Sequence, residues 1–336
     1  MIRSWCARQW SRCRWIRSES EGDRGQNAYE TGIAAHPLGL TFPFFPLNYR
    51  HHYHAGNYAD VFKHVLLLQL IRAMQRKEKG FLYLDTHAGR GGYDLSVPSI
   101  LPDGRSREPE YPAGIGRLWG VAALPAVLTD YLALVQKFNE QQGASGPELK
   151  FYPGSPWVAK LLLRSQDRMA LCELRPDDAE ALDFEFARES RVTVQVIDGY
   201  TGLKALLPPP EKRALVLIDP PFESKAEFAD ILRGLGDGLR RMPGAVVAVW
   251  YPITDRTRID DFNRGLHELS LPPTFFAELN IAGDSSQLRM KGCGLLVLNP
   301  PWKIEGEIRA ILPPLVERLK VDAGAGSASG WLVPER

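Results

Sequence analysis

Apolar residues recur at helical spacing early in the chain, over residues 59–74. Val61 and Val65 belong to a face that repeats every 3.6 residues, so the pattern predicts a helix in this range. Asn57 or Asp60, which stand at its beginning, have side chains that accept hydrogen bonds from the first free N–H groups of a helix. We therefore expect one of these two residues to be the N-cap.

Seven apolar runs, rich in β-branched and aromatic residues, predict buried strands. Helical patterns separate most of these runs. Such alternation is typical of a doubly wound parallel sheet, so the predicted fold is α/β, with a seven-stranded Rossmann-like sheet. The predicted strands are FLYLD (81–85), RMALCE (168–173), VTVQVID (192–198), ALVLIDPPF (214–222), GAVVAVWYP (244–252), TFFAELNI (274–281) and GCGLLVLNPPW (292–302).

Two segments do not follow this alternation. Residues 94–152 combine a charged, Pro- and Gly-rich stretch with a helical pattern, which predicts a small helical subdomain inserted into the sheet domain. Residues 1–46 mix arginine and tryptophan without sustained periodicity. We interpret them as a disordered leader, or as sequence upstream of a true start at Leu47. The sheet domain then comprises 47–93 and 153–336.

The charge balance is neutral overall, with 41 Lys and Arg against 40 Asp and Glu in 336 residues, a net charge of +1. This excludes a uniformly basic nucleic-acid coat but not a local basic patch. No run of about 18 consecutive apolar residues is present, so no membrane span is predicted. Cys6, Cys13, Cys172 and Cys293 lack the spacing of a zinc site. We expect no metal site and a reducing, cytoplasmic location.

Carboxylates end the first four strands of the sheet domain: Asp85, Glu173, Asp198 and Asp219. Ligands of open α/β sheets bind beyond the carboxyl ends of the strands, so we expect these four residues to converge on one site. The first of them leads into the glycine loop THAGRGG (86–92), which resembles the first turn of nucleotide-binding α/β domains. A P-loop is excluded because no Gly-Lys-Ser/Thr sequence follows.

This set of groups suits S-adenosylmethionine. Glu173 would accept hydrogen bonds from both ribose hydroxyls, and Asp198 from the adenine amine. The glycine loop would let the backbone approach the amino-acid part of the cofactor. Ser155, predicted as an N-cap with Pro156 at the first helical position, would lie beside the same pocket.

The motif D-P-P-F at 219–222 indicates the reaction. The lone pair of an aromatic amine is delocalised, which makes it a poor nucleophile. Asp219 and the Pro220 carbonyl would accept hydrogen bonds from this NH2 group and direct its lone pair at the sulfonium methyl. Phe222 would stack on the extruded base. N-P-P-W at 299–302 matches loosely but follows the last predicted strand, so Asp219 is the predicted catalytic residue.

Residues 47–79 carry six Lys and Arg against two acidic residues, a local net charge of +4. Tyr49, Tyr53 and Tyr58 interleave with these charges, as expected of a surface that binds phosphates and stacks bases. We expect this positive charge to lie beside the mouth of the pocket. A metal site built from its four histidines is disfavoured, because no acids or cysteines stand at ligand spacing.

The blocks YRHHYHAGNYADVFKH, FLYLDTHAG, YPGSP, LIDPPF, WYP and LNPPWK resemble the RlmJ family of large-subunit ribosomal RNA adenine-N6 methyltransferases. The resemblance covers about residues 47–335. It implies a class I enzyme that uses S-adenosylmethionine to methylate one adenine of 23S rRNA; we further expect a monomer without membrane attachment. The cofactor contacts it implies are Lys63, His64, His87, Ser155, Glu173, Asp198, Gly199 and Asp219. It also implies catalysis at Asp219 and an RNA contact by Tyr49.

Other functions stay open on the residues alone. Loops of the D-P-P-aromatic type also serve guanine-N2 and DNA adenine methyltransferases. A non-catalytic RNA-binding assembly factor on the same scaffold is the alternative outside enzymes. Phe222 departs from the tyrosine that many N6-adenine enzymes carry, which keeps stacking but removes a hydroxyl.

Overall fold

An eight-stranded sheet with helices on both faces forms the centre of a computed structural model that describes residues 53–100 and 105–335. These residues fall within one compact unit, Leu47–Arg336. The predicted leader, 1–46, and Tyr49 lie outside the described residues. The described strands are β1 (Leu82–Asp85), β2 (Gly92–Asp94), β3 (Ser99–Ile100), β4 (Ser106–Arg107), β5 (Phe151–Pro153), β6 (Arg168–Glu173), β7 (Val192–Val196), β8 (Ala214–Ile218), β9 (Val246–Ile253), β10 (Thr274–Asn280), β11 (Gly292–Leu298) and β12 (Gly326–Val333). The described α-helices are α1 (Tyr58–Met74), α2 (Ala126–Gln141), α3 (Ser155–Leu162), α4 (Pro176–Phe186), α5 (Gly199–Leu206), α6 (Glu227–Arg241), α7 (Arg256–Glu268) and α8 (Ile304–Leu319).

The strand order of the main sheet is β12-β10-β11-β9-β8-β1-β6-β7. All seven predicted strands belong to it, which confirms the α/β fold class. The parallel pairing extends from β7 to β9, whereas β11, β10 and β12 pair antiparallel to their neighbours. The eighth strand, β12, was not predicted. From β1 the strand order runs first to β6 and β7 on one side and then to β8 and β9 on the other. The switch point between β1 and β8 is where open α/β sheets bind ligands.

Alternate residues of β1 face opposite sides of the sheet, as the two-residue period of a strand requires. Tyr83 packs in the apolar cluster that includes residues of α1, α3, α4 and α8. Leu82 and Leu84 pack in the cluster that includes residues of α5, α6 and α7. Because both faces are covered, the central strands are buried on both sides and their sequences are continuous apolar runs.

Helix α1 is buried on nearly its whole circumference, and Arg72 is its only exposed residue. It packs against α3, α8 and α2 and against strands β8 and β11. Asn57 is its N-cap, with a side-chain oxygen 3.0 Å from the backbone nitrogens of both Ala59 and Asp60. Full burial contributes about 1.5–3 kcal/mol for each large apolar side chain, so α1 is a central element of the core.

The stretch predicted as an insertion begins and ends in one short antiparallel ladder. In this ladder Gly92 lies opposite Pro153, and Asp94 opposite Phe151. Between them the described residues form the pair β3 and β4, two 3-10 turns at 111–117, and α2. The boundaries of a separate subdomain at 94–152 stay a prediction. In the described part of the chain, no helix is both long and apolar enough to cross a membrane.

Candidate active site

Three of the four strand-end acids line a single cleft at the carboxyl edge of the sheet: Glu173, Asp198 and Asp219. They meet there because β8, β1, β6 and β7 are adjacent and parallel. Asp85, at the end of β1, is fully buried and does not line the cleft. The predicted convergence therefore holds for three acids, with the fourth beneath them.

The cleft has a volume of about 3030 Å³. This exceeds the roughly 300–1,000 Å³ of ordinary small-molecule pockets, so it has room for a cofactor together with part of a polymer. It also collects the other predicted site residues that the structure describes: Lys63, His64, His87, Ser155, Gly199, Pro220 and Phe222.

Asp219 is held by a buried cation. The Lys63 ammonium donates to one Asp219 oxygen over 2.5 Å and lies 2.9 Å from a carboxylate oxygen of Asp60. Burial alone lowers the pKa of Lys63, but the carboxylates of Asp219 and Asp60 raise it above its usual value. Lys63 therefore stays protonated at physiological pH. Asp60 was not predicted in this role, although it stands one helical turn before Lys63.

The D-P-P-F loop places an aromatic ring in the cleft. Phe222 has a φ of +51°, a left-handed conformation that is uncommon for a side chain of this size. Its ring centroid lies 5.1 Å from that of Phe228 and 5.7 Å from that of Trp250, the latter in an edge-on contact. Packing on two sides thus holds this strained backbone in place. The sequence indicated Phe222 but not Trp250, which lies within β9, the strand beside β8.

The glycine loop is tied to Glu173, whose carboxylate accepts hydrogen bonds from the backbone N–H groups of Gly89 and Arg175, each over 2.8 Å. Burial raises the pKa of Glu173 despite these bonds. The Gly154 N–H donates to the Gly91 carbonyl over 2.7 Å, which joins the loop to the start of α3. Gly154 is the N-cap of α3 and Ser155 its first residue, so the prediction of Ser155 as N-cap is wrong by one position.

Asp198 caps α5 by accepting hydrogen bonds from the backbone N–H and the hydroxyl of Thr201, over 2.8 and 2.9 Å. Gly199, the next residue, comes so close to the loop after β1 that a Cβ atom there would lie 2.1 Å from the Thr86 carbonyl oxygen. Only glycine fits between these two segments. Gly199 thus brings the start of α5 against the loop that follows β1.

A buried polar network lies under the cleft. Asp85 accepts hydrogen bonds from the Tyr83 hydroxyl, over 2.8 Å, and from Ser155. Burial raises the pKa of Asp85 to about 6, and these bonds only partly offset it. Burial also lowers the pKa of His87 to about 4, so this histidine is neutral at physiological pH.

A second series of buried hydrogen bonds joins the predicted insertion to the site. The Tyr131 hydroxyl of α2 shares a hydrogen bond of 2.8 Å with the Tyr152 hydroxyl of β5. Tyr152 is in turn hydrogen-bonded to Nδ1 of His64 over 2.9 Å. The inserted segment therefore helps to position a side chain of α1 that lines the cleft.

The basic residues that the structure describes within 53–79 do not form the expected basic surface at the cleft, and Arg50 lies outside the described residues. Lys63 is buried in the pair with Asp219, while Arg72 and Arg76 lie near the other end of α1 and pair with Asp130 and Glu307. A helix of 17 residues is about 25 Å long, so its two ends are far apart. For the described residues, the prediction that this charge lies beside the pocket mouth is therefore wrong.

The second D-P-P-like motif is remote from the site, as predicted. Asn299 follows β11, which runs antiparallel to β9, so it lies at the opposite end of the sheet from Asp219. Its side-chain amide donates to the carbonyls of Pro243 and Ala245, both over 2.8 Å. These bonds give Asn299 a structural role in a turn.

Comparison with known proteins identifies relatives of this chain over most of its length. A family model described as "Ribosomal RNA large subunit methyltransferase D, RlmJ" matches residues 78–333. The chain belongs to the RlmJ family. Among curated RlmJ relatives, Ribosomal RNA large subunit methyltransferase J of Escherichia coli is 42% identical over 290 residues, which are 86% of this chain and 100% of the relative. The protein of the same name from Haemophilus influenzae is 41% identical over the same shares.

A solved structure supports the fold of this chain. A crystallised protein of Legionella pneumophila is 34% identical, with a TM-score of 0.72, and the match covers 83% of this chain and 97% of that one. As an RlmJ family member the chain is a methyltransferase. Within the described residues, no three His, Cys, Asp or Glu side chains are grouped so that they could hold a metal ion.

Proposed function

We propose that this RlmJ-family protein transfers a methyl group from S-adenosylmethionine to N6 of an adenine in large-subunit ribosomal RNA. The observation that carries the proposal is the D-P-P-F loop at the end of β8. It opens into the same cleft as the strand-end acids, next to the glycine loop after β1. The two curated relatives are named as large-subunit ribosomal RNA methyltransferases, which supports the choice of substrate.

The cleft fits the proposed cofactor. Gly89 and Gly91 both have positive φ angles, so bare backbone faces the place where the amino-acid part would lie. The carboxylates of Glu173 and Asp198 stand on neighbouring strands and suit the ribose hydroxyls and the adenine amine. When bound, S-adenosylmethionine supplies an electrophilic methyl group on a sulfonium. Lys63, His64, His87, Ser155 and Gly199 complete the proposed contacts.

Asp219 and Pro220 are proposed to orient the target amine. A carboxylate has two oxygens and about four lone-pair sites, so Asp219 can bind the Lys63 ammonium and still accept a hydrogen bond from an amine. The Pro220 carbonyl offers a second acceptor in a direction fixed by two prolines. Two acceptors aimed at one NH2 group rotate its lone pair out of the base plane and towards the methyl group.

Phe222 is proposed to hold the base. Stacking on an aromatic ring contributes about 1–3 kcal/mol per base and tolerates any base. The identity of the target base must therefore be read by the hydrogen-bond acceptors of the loop. Asp219 and the Pro220 carbonyl are both acceptors, and they match an exocyclic amine rather than a carbonyl. This pairing suits an exocyclic amine such as adenine N6, the position that the family resemblance implies.

One chain supplies every residue of the site named above, and we extend the proposal to a monomeric, cytoplasmic enzyme. Light scattering after size exclusion tests the oligomeric state. A stable dimer would contradict the monomer without affecting the reaction.

Transfer of labelled methyl groups to unmodified large-subunit ribosomal RNA tests the main proposal. We expect labelling by the native protein and none by Asp219→Ala, while calorimetry shows that the variant still binds S-adenosylmethionine. Asp219→Asn, which keeps the shape, is the matched control for packing. Preferred labelling of DNA or of guanine in competition would establish the alternative enzymes. RNA binding without cofactor binding or labelling would establish the assembly factor.

A further inference from the structure

Two parts of the cleft lining differ in charge. In the fully described segment 250–291, the charged residues that line the cleft are Arg258 and Arg289. A second part of the lining, the acidic wall formed within residues 173–237, contributes eleven Asp and Glu against three Lys and Arg. The described lining within 53–155 is nearly balanced. A polyanion that enters this cleft is therefore attracted to one wall and repelled by the other.

Arg258 is close to the catalytic loop. Its guanidinium carbon lies 5.5 Å from the ring centroid of Phe228, and Phe228 lies 5.1 Å from Phe222. A series of ring contacts thus leads from the D-P-P-F loop to an exposed arginine in the first turn of α7.

The two other arginines of α7 have carboxylate partners. Arg256 pairs with the buried Glu278, and Arg264 pairs with Asp261. Among the described residues, no carboxylate forms an ion pair with Arg258. Its charge is therefore available to an anionic ligand.

Arg289 reaches the same edge of the sheet from another direction. It precedes β11, whose first residue, Gly292, lies opposite Ile253 at the end of β9. The Met290 carbonyl accepts a hydrogen bond from the Tyr58 hydroxyl over 3.2 Å, which holds this loop beside the start of α1. Arg289 is exposed, and no carboxylate of the described residues pairs with it.

We propose that Arg258 and Arg289 bind the phosphates of the RNA strand beside the target adenine. This inference rests on the proposed function and adds the path of the strand, over the wall of residues 250–291 and away from the acidic wall. Exposed guanidinium groups bind phosphates in a bidentate way and pay little desolvation for it. Contacts of this kind fix orientation without reading sequence, which leaves recognition to the base pocket.

The salt dependence of RNA binding tests this inference. Binding of unmodified large-subunit ribosomal RNA is measured between 50 and 200 mM salt for the native chain, Arg258→Gln and Arg289→Gln. Each lost phosphate contact should reduce the slope of log K against log salt by about 0.7–0.9, so the affinity change across this range becomes about threefold smaller. The double variant should lose about twice as much slope. In methylation, KM for RNA should rise while kcat at saturating RNA changes little.

Two control variants separate this role from a general effect of charge. Arg264→Gln removes the same charge from α7 outside the cleft, and Arg233→Gln removes a cleft arginine from the acidic wall, where it pairs with Asp230. Both should keep the native slope. Arg258→Lys should also keep it, because the charge remains even though stacking on Phe228 is altered.

The outcomes also separate this inference from the proposed function. Native slopes in Arg258→Gln and Arg289→Gln, in an enzyme that methylates ribosomal RNA, would overturn the strand path alone. Equal slope losses in Arg233→Gln would likewise overturn it. A native chain that does not methylate ribosomal RNA would overturn the proposed function.

Discussion

Lys63→Met should destabilise the protein strongly, because Lys63 is a buried cation between two carboxylates. Its ammonium lies 2.5 Å from Asp219 and 2.9 Å from Asp60, and the three side chains are 6%, 16% and 3% exposed. Removing one partner of a buried ion pair costs about 3–5 kcal/mol, since the remaining charge keeps its desolvation cost. With an unfolding entropy of about 2.1 cal/mol/K per residue, a unit of the size of Leu47–Arg336 loses roughly 1.6 °C of Tm per kcal/mol, which gives a loss of about 5–8 °C.

The effect of Lys63→Met should depend on pH in one direction. In the native chain the raised pKa of Lys63 means that its stabilising contribution is fully present below its unfolded pKa near 10.4, and so is constant from pH 5 to 8. In the variant, the buried Asp60 carboxylate has lost the Lys63 ammonium, and the cost of burying its charge falls when it is protonated at low pH. The loss of Tm should therefore be largest at pH 8 and smaller at pH 5.

Thermal unfolding followed by circular dichroism at pH 5 and pH 8 measures this effect. Lys63→Met/Asp219→Asn should recover part of the loss, because it removes an uncompensated charge. Arg76 follows the end of α1 and forms an exposed pair with Glu307 of α8; Arg76→Met breaks this pair and should cost less than about 1 kcal/mol. A Lys63→Met variant as stable at pH 8 as Arg76→Met, or a double variant no more stable than the single one, would refute the reasoning.

Three further predictions concern the cleft. Gly199→Ala should lose cofactor affinity and about 1–3 kcal/mol of stability, measured by calorimetry and urea unfolding, because its Cβ would overlap the Thr86 carbonyl; Gly306→Ala, with open space around it, is the control and should not be destabilised. Phe222→Ala should lower kcat/KM for RNA about 5- to 150-fold by removing base stacking; an unchanged value would exclude stacking on this ring. Because the pKa of His87 falls to about 4 on folding, its contribution to stability is present above its unfolded pKa near 6.5 and is lost as the pH falls towards 4. His87→Gln should therefore lose less Tm than the native chain between pH 6.5 and 4, and an identical loss would contradict this pKa.

The sequence pattern predicted the main strands because strands buried on both faces have continuous apolar sequences. The edge strand β12 escaped prediction, since its sequence GSASGWLV contains few large apolar residues and it is only half-buried. The antiparallel pairing of β11 with β9 also escaped, because an apolar run does not encode the direction of its neighbour. Long-range pairing, rather than local propensity, decides these features.

Part of the site could be predicted from the ends of the strands, but its electrostatics could not. Glu173, Asp198 and Asp219 follow from strand order alone. The bond between Lys63 and Asp219 joins residues 156 positions apart, and no local pattern indicates such a contact. The expected basic surface failed for a related reason, since linear charge density does not show that α1 is buried or that Arg72 lies at its far end.

The position of α1 also has a consequence for biosynthesis. This helix emerges from the ribosome first among the described helices, yet part of its apolar surface is covered by α8, which begins 230 residues after α1 ends. At about 5–20 residues per second, translation of that interval takes on the order of 10–50 s. During this time Phe62, Val65 and their neighbours lack their native cover. Nascent chains should therefore be clients of chaperones that bind exposed apolar helices, and truncation before α8 should yield an aggregation-prone product.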